Sequence, residues 1–108
     1  MNAINFKKEV NGDLDEIIHR VAEGLKGEGF GILNRIYFNS KIKEKIGKDL
    51  PPTVILGDCN PDLAYEAFLQ NSDVTGLLPW NLVVCELGEH RISVELAKPS
   101  SMMEIIGD

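Results

Sequence analysis

Thr53-Val54-Ile55-Leu56-Gly57-Asp58-Cys59-Asn60-Pro61 is the stretch on which the fold turns. Its first four residues form a short β-branched apolar run, the pattern of a strand buried on both faces. Pro51-Pro52 just before it excludes helix and forces an extended entry. After a turn at Gly57-Asp58, Asn60 is a good helix N-cap, and Pro61 suits the first helical position, where its missing N–H is not needed. The stretch therefore reads as buried strand, turn, helix, and it also carries one of only two cysteines.

Upstream, Ala3 to Val10 alternates, with Ile4, Phe6, Lys8 and Val10 on one side. This predicts a strand, and Lys8 on its apolar side suits an edge position. Asn11-Gly12 breaks the pattern. Asp13 then opens a helix as N-cap, with Glu16 placed to complete a capping box. Leu14, Ile17, Ile18, Val21 and Leu25 form its apolar stripe, and Gly27 and Gly29 end it. Phe30 to Phe38 alternates again, with Phe30, Ile32, Ile36 and Phe38 on one face and Asn34 interrupting them. A short helix over Lys41 to Gly47, docked by Ile42 and Ile46, leads to the prolines.

Downstream, Leu63, Ala64, Ala67 and Phe68 supply the inward stripe of a second long helix ending near Asn71. Asp73 to Gly76 is a turn. Pro79 places the next strand after itself. Gly88-Glu89-His90 forms a hairpin into a strand with Ile92, Val94 and Leu96 in and Arg91, Ser93 and Glu95 out. Pro99 stops it, and Ser100 or Ser101 caps a last short helix through Met102, Met103, Ile105 and Ile106. The hairpin makes the sheet at least partly antiparallel. The fold class is α+β: a mostly antiparallel sheet of four or five strands, with two main helices on one face.

With 108 residues, 44% hydrophobic and 26% charged, the chain reads as one domain spanning residues 1–108. A net charge of −6 argues against binding nucleic acid through its phosphates. Lys41, Lys43, Lys45 and Lys48 make a short positive run, but Glu44 and Asp49 mix it into an ordinary solvated face. The longest apolar stretch, Leu77 to Cys85, is broken by Pro79 and Asn81, so no membrane association is expected. Two distant cysteines without a secretion signal point to reduced thiols and a cytoplasmic location.

Chemistry concentrates at few residues. Cys59, just before a helix N-terminus, stands near unpaired backbone N–H groups and the positive end of the helix dipole, which favour a thiolate and can hold a small anion. Asp58 opposes that thiolate, and a lone cysteine is also a common packing residue. Asn60 and Asn81 are explained as cap and corner residues, but two amides near a thiol can also orient a carbonyl or carboxylate. Trp80, the only tryptophan, can line a pocket at the Pro79–Asn81 corner or pack in the core. Cys85, among valines, reads as core.

Neither His19 nor His90 stands at metal-ligand spacing with Cys59 or Cys85, so no metal and no cofactor are expected. Gly27, Gly29 and Gly31 follow a helix and precede a strand, the reverse of a phosphate-loop context.

Several runs resemble one known family. They are Gly12-Asp13-Leu14-Asp15-Glu16, Gly29-Phe30-Gly31-Ile32-Leu33, Lys45-Ile46-Gly47-Lys48-Asp49, Ile55 through Pro61, and Gly76 through Val84. Together they are similar to the family catalogued as domain of unknown function 302, over nearly the whole chain. The resemblance implies a small α+β domain like the repeat of the TATA-box-binding protein, forming homodimers; it does not imply DNA binding, which the acidic charge also disfavours. Members of that family typically carry Pro-Cys-Asn where this chain has Pro79-Trp80-Asn81, so half of any two-cysteine site is missing here.

Three readings of function follow. The favoured one is a homodimeric binding or regulatory module with a pocket at Cys59, Asn60, Trp80 and Asn81 for a small anionic or carbonyl ligand. The second is a thiol redox protein or enzyme using Cys59, the only candidate catalytic residue. The third is a purely structural dimerisation domain.

Overall fold

The computed structural model describes residues 5–97. Its elements, in chain order, are β1 (Asn5–Asn11), α1 (Leu14–Gly27), β2 (Gly31–Tyr37), α2 (Phe38–Ile46), β3 (Thr53–Cys59), α3 (Pro61–Gln70), a 3-10 helix (Ser72–Leu77), β4 (Trp80–Gly88) and β5 (Arg91–Ala97). The strands form one sheet in the order β1-β5-β4-β3-β2, and all four pairings are antiparallel. The predicted α+β class with an antiparallel sheet is what forms, and it is compatible with the fold that the resemblance implies. Ile4 and the last short helix through Met102 to Ile106 lie outside the described residues.

The apolar stripe of α1 builds the core as its spacing requires. Ile17 and Ile18 are buried against Val54 and Leu56 of β3, Leu82 and Val84 of β4, and Ile92 of β5. These alternate strand positions define an inner face, and the register places each beside its neighbour: Val54 by Val84, Leu56 by Leu82. Burying a large aliphatic side chain contributes ~1.5–3 kcal/mol, so this cluster is the main source of stability. Strand β1 is an edge, as Lys8 suggested.

Several local expectations change. Asp13 is the extended N-cap of α1, but its side chain makes no capping bond. Its carboxylate lies instead 3.5 Å from His90 Nδ1, where the Gly12 N–H also donates to the His90 carbonyl at 3.0 Å. The β4–β5 turn thus draws the carboxylate away from the helix. Helix α2 starts earlier than expected, at Phe38. Ile42 is half-buried, but Ile46 remains 64% exposed and does not dock.

The interruption at Asn34 is a β-bulge. Ile32 pairs with Asp58 on the inner side, then the register shifts so that Asn34 and Ile36 pair with Gly57 and Ile55 on the outer face. An extra residue in one strand re-aims every side chain after it. Ile32 and Ile36 therefore do not share a face. Ser93 points outward as expected, yet it is buried between Cys85 and Glu9 of the neighbouring strands.

Helix α3 differs most from its sequence reading. Ala64 and Ala67 are half-buried, while Leu63 and Phe68, read as inward, are 51% and 46% exposed. The helix packs chiefly against the 3-10 helix that follows it, not down onto the sheet. Among the described residues, nothing covers Leu63 and Phe68 of its apolar stripe.

Candidate functional site

Strand β3 does not end at Leu56. It runs on through Gly57, Asp58 and Cys59, so the expected turn is the last part of a strand. Gly57 is required by close approach on the outer face: a Cβ there would overlap the Asn34 side-chain oxygen and stand 2.8 Å from Pro79 Cγ. Asn60 then caps α3 as predicted, its Oδ1 accepting from the Leu63 N–H at 3.1 Å, with Pro61 in the first helical position.

Strand alternation sorts the motif residues onto two sides. Gly57 pairs with Asn81 and Asp58 with Trp80. Cys59 and the exposed Asn81 therefore belong to the outer face, while Asp58 and Trp80 belong to the inner one. Asp58 and Cys59, adjacent in sequence, point to opposite faces. Of the four predicted site residues, the structure gathers all at one end of the sheet, but only Cys59 and Asn81 share a face.

Trp80 is 8% exposed, and its ring centre lies 5.8 Å from that of Phe30 at a 46° tilt. The loop carrying Phe30 also presses on the cap, since a Cβ on Gly29 would stand 3.1 Å from Asn60 Nδ2. The α1–β2 connection is thus part of this end of the sheet. No spacing in the sequence announced that contact.

Asp58 is the residue that sequence reading undervalued. Its side chain is 1% exposed, between Ile32 and Trp80, and its Oδ2 has no hydrogen-bond partner. Burial raises its pKa from 3.8 to about 6. A carboxyl removed from water resists ionisation because the charged form loses hydration without a compensating donor. Buried polar groups left unpaired are rare in folded proteins, and each one calls for a reason. The only hint in the sequence was an acid continuing a fully apolar strand pattern.

The remaining candidates separate. Cys59 and Cys85 are both half-buried and free. Cys85 pairs with Thr53, and its sulfur accepts from the Thr53 hydroxyl at 3.4 Å. Thr53 and Cys59 are the two ends of a seven-residue strand, ~20 Å apart at the rise of a β-strand. A disulfide needs Cα atoms within ~7 Å, so the two cysteines of one chain cannot join.

His90, in the β4–β5 turn, is at the far end of the sheet from Cys59, and His19 is exposed on α1. No Cys–His pair forms. Among the described residues, no group of three or more His, Cys, Asp or Glu side chains could hold a metal ion, and no helix is long and apolar enough to cross a membrane.

The comparisons with known proteins agree with this architecture. The family model for "Domain of unknown function DUF302" matches residues 6–108. The chain belongs to that family. Among solved structures, this DUF302 chain is similar to the crystal structure of an uncharacterized conserved DUF302 protein from Bacillus stearothermophilus. The TM-score is 0.88 and the identity 31%, over 97% of this chain and 81% of that one. No curated protein matches the chain. The family description assigns no activity to this DUF302 domain.

Proposed function

We propose that this DUF302 domain is a homodimeric small-ligand-binding or regulatory module. Its site is the end of the sheet that carries Asp58 and Trp80 on the inner face, Cys59 and Asn81 on the outer one and Asn60 at the start of α3, and its ligand is a small carboxylate or carbonyl compound. The observation that carries this reading is the buried Asp58 carboxyl with no partner for Oδ2. With a pKa near 6, Asp58 is a neutral acid at mildly acidic pH, able to donate its O–H to a carbonyl or carboxylate oxygen.

The reading has a proton signature. A carboxylate ligand pairs with protonated Asp58, so binding tightens as pH falls toward 6 and weakens up to about tenfold per pH unit above it. Thermal-shift measurements with formate, acetate, pyruvate and acetone at pH 5.5 and 7.5 test it. Larger stabilisation at pH 5.5 is expected. Asp58→Asn, whose amide donates at any pH, keeps the stabilisation and loses its pH dependence. Absence of stabilisation by all four compounds at both pH values would overturn the reading.

Dimerisation rests on a separate observation. Of the eleven exposed large apolar side chains among the described residues, all but Leu87 come from residues 33–69, among them Leu63, Tyr65, Phe68 and Leu69 of α3. Scattered exposed apolar residues need no explanation, whereas four on one ten-residue helix, α3, favour an interaction surface there. A second copy of the chain is the occupant proposed.

A further inference from the structure

A different part of the molecule carries an independent inference. We propose that the groove between α1 and the β1–β5 flank of the sheet binds an amphipathic monocarboxylate, an aliphatic chain carrying one carboxylate. Among the described residues, a single helix, α1, packs over the inner core of the five-stranded sheet, and the groove lies beside it. Helix α1 buries its stripe over β3, β4 and Ile92, leaving Val10, Val94 and Leu96 only partly covered. The resulting cavity is about 460 Å³, walled by these residues with Val21, Leu25 and Leu82. That is within the ~300–1,000 Å³ range of small-molecule sites, which are mostly apolar with a few placed polar groups.

Two features commit the groove to this occupant. The first is charge. In a chain of net charge −6, the two charged residues that line the groove among the described residues are both cations, Lys8 and Arg20. Arg20 reaches Glu16 only at 3.8 Å, with both side chains largely exposed, a contact that a ligand carboxylate displaces readily. Lys8 faces inward on its strand, the position that its alternation pattern marked. The second is space. Gly24, in the last turn of α1, lines the groove, and nothing lies within 4 Å of where its Cβ would be. Glycine there weakens the helix and widens the groove. An apolar channel with cations beside it suits a carboxylate tail-inward, and a neutral or cationic amphiphile leaves Lys8 and Arg20 unused.

The test is displacement of 11-(dansylamino)undecanoic acid from the full chain by octanoate, decanoate, dodecanoate and dodecanol, each below its micelle concentration. Affinity is expected to rise roughly fourfold per added methylene, the increment for burying one CH₂. Lys8→Met with Arg20→Met weakens dodecanoate at least tenfold and leaves dodecanol unchanged. Gly24→Phe fills the groove and weakens both at least tenfold, its folding checked by circular dichroism. Asp58→Asn changes neither, so this site and the motif site fail separately. The proposal is overturned if the full chain binds no probe, whether because its carboxy-terminal segment or a second copy fills the groove. It is equally overturned if Gly24→Phe binds as well as the parent, or if dodecanol and dodecanoate respond alike to loss of the two cations.

Discussion

The side-chain oxygen of Asn34 occupies the place where a Cβ on Gly57 would stand. The two residues are register partners on neighbouring strands, brought together by the bulge after Ile32. Pro79 closes the same spot from the β4 side, with its Cγ 2.8 Å from that position. The glycine of the focal stretch thus serves packing between three strands, where the sequence suggested a turn.

Gly57→Ala is therefore expected to destabilise the domain by ~1–3 kcal/mol, the usual range for overpacking a tight site. Asn34→Ala in the same chain should recover part of that loss, leaving the Pro79 contact. Urea denaturation of the two single variants and the double variant measures the coupling.

Asp58 gives the domain an unusual pH profile. Its pKa, raised by burial from 3.8 to about 6, means that the folded chain holds a proton that the unfolded chain releases between those values. Stability is then highest below about pH 4 with respect to this group, and falls as pH rises through 6. At ~1.4 kcal/mol per factor of ten in proton affinity, the loss approaches about 3 kcal/mol. Asp58→Asn should flatten the profile and raise stability at pH 7.5. Denaturant midpoints from pH 4 to 8 decide it, and a parent profile without a decline across this window would count against a buried, unpaired carboxyl.

Asn60→Ala removes the acceptor for the Leu63 N–H and is expected to lower stability by about 1 kcal/mol, with Asn60→Asp retaining most of it. Chemical denaturation reads the difference.

Tyr65 and Leu69 stand one helical turn apart on α3 and are 64% and 65% exposed. Replacing both by glutamate should leave the fold intact, since neither contributes to the core, and convert the proposed dimer to a monomer. Sedimentation velocity measures the mass, and a parent chain that is monomeric at all concentrations would remove the dimer from the proposed function.

Gly24→Ala should stabilise α1 by ~0.5–1 kcal/mol, because the position is helical and its Cβ meets nothing. A thermal melt checks this prediction.

Much of the chain was legible without coordinates, for local reasons. The spacing of Leu14, Ile17, Ile18, Val21 and Leu25 specified α1 and its buried side. Asn60-Pro61 specified the start of α3, and Gly88 to His90 the hairpin. The extent of β3, the bulge in β2 and the exposure of α3 were not legible, because each depends on residues distant in the chain. A helical stripe states which side is apolar, not whether anything covers it, so Leu63 and Phe68 read as inward when they are not.

The focal stretch shows the same division within a few residues. By itself the sequence determined a strand, a cap and a helix, since those follow from β-branching, side-chain hydrogen bonding and proline geometry. Only the tertiary structure decided that Cys59 and Asp58 face opposite ways and that Asp58 stands buried beside Trp80. Strand register sets those relations, and register is a property of the paired strands together. The cysteine drew attention to this stretch, and the carboxylate next to it is the group whose burial sets its chemistry.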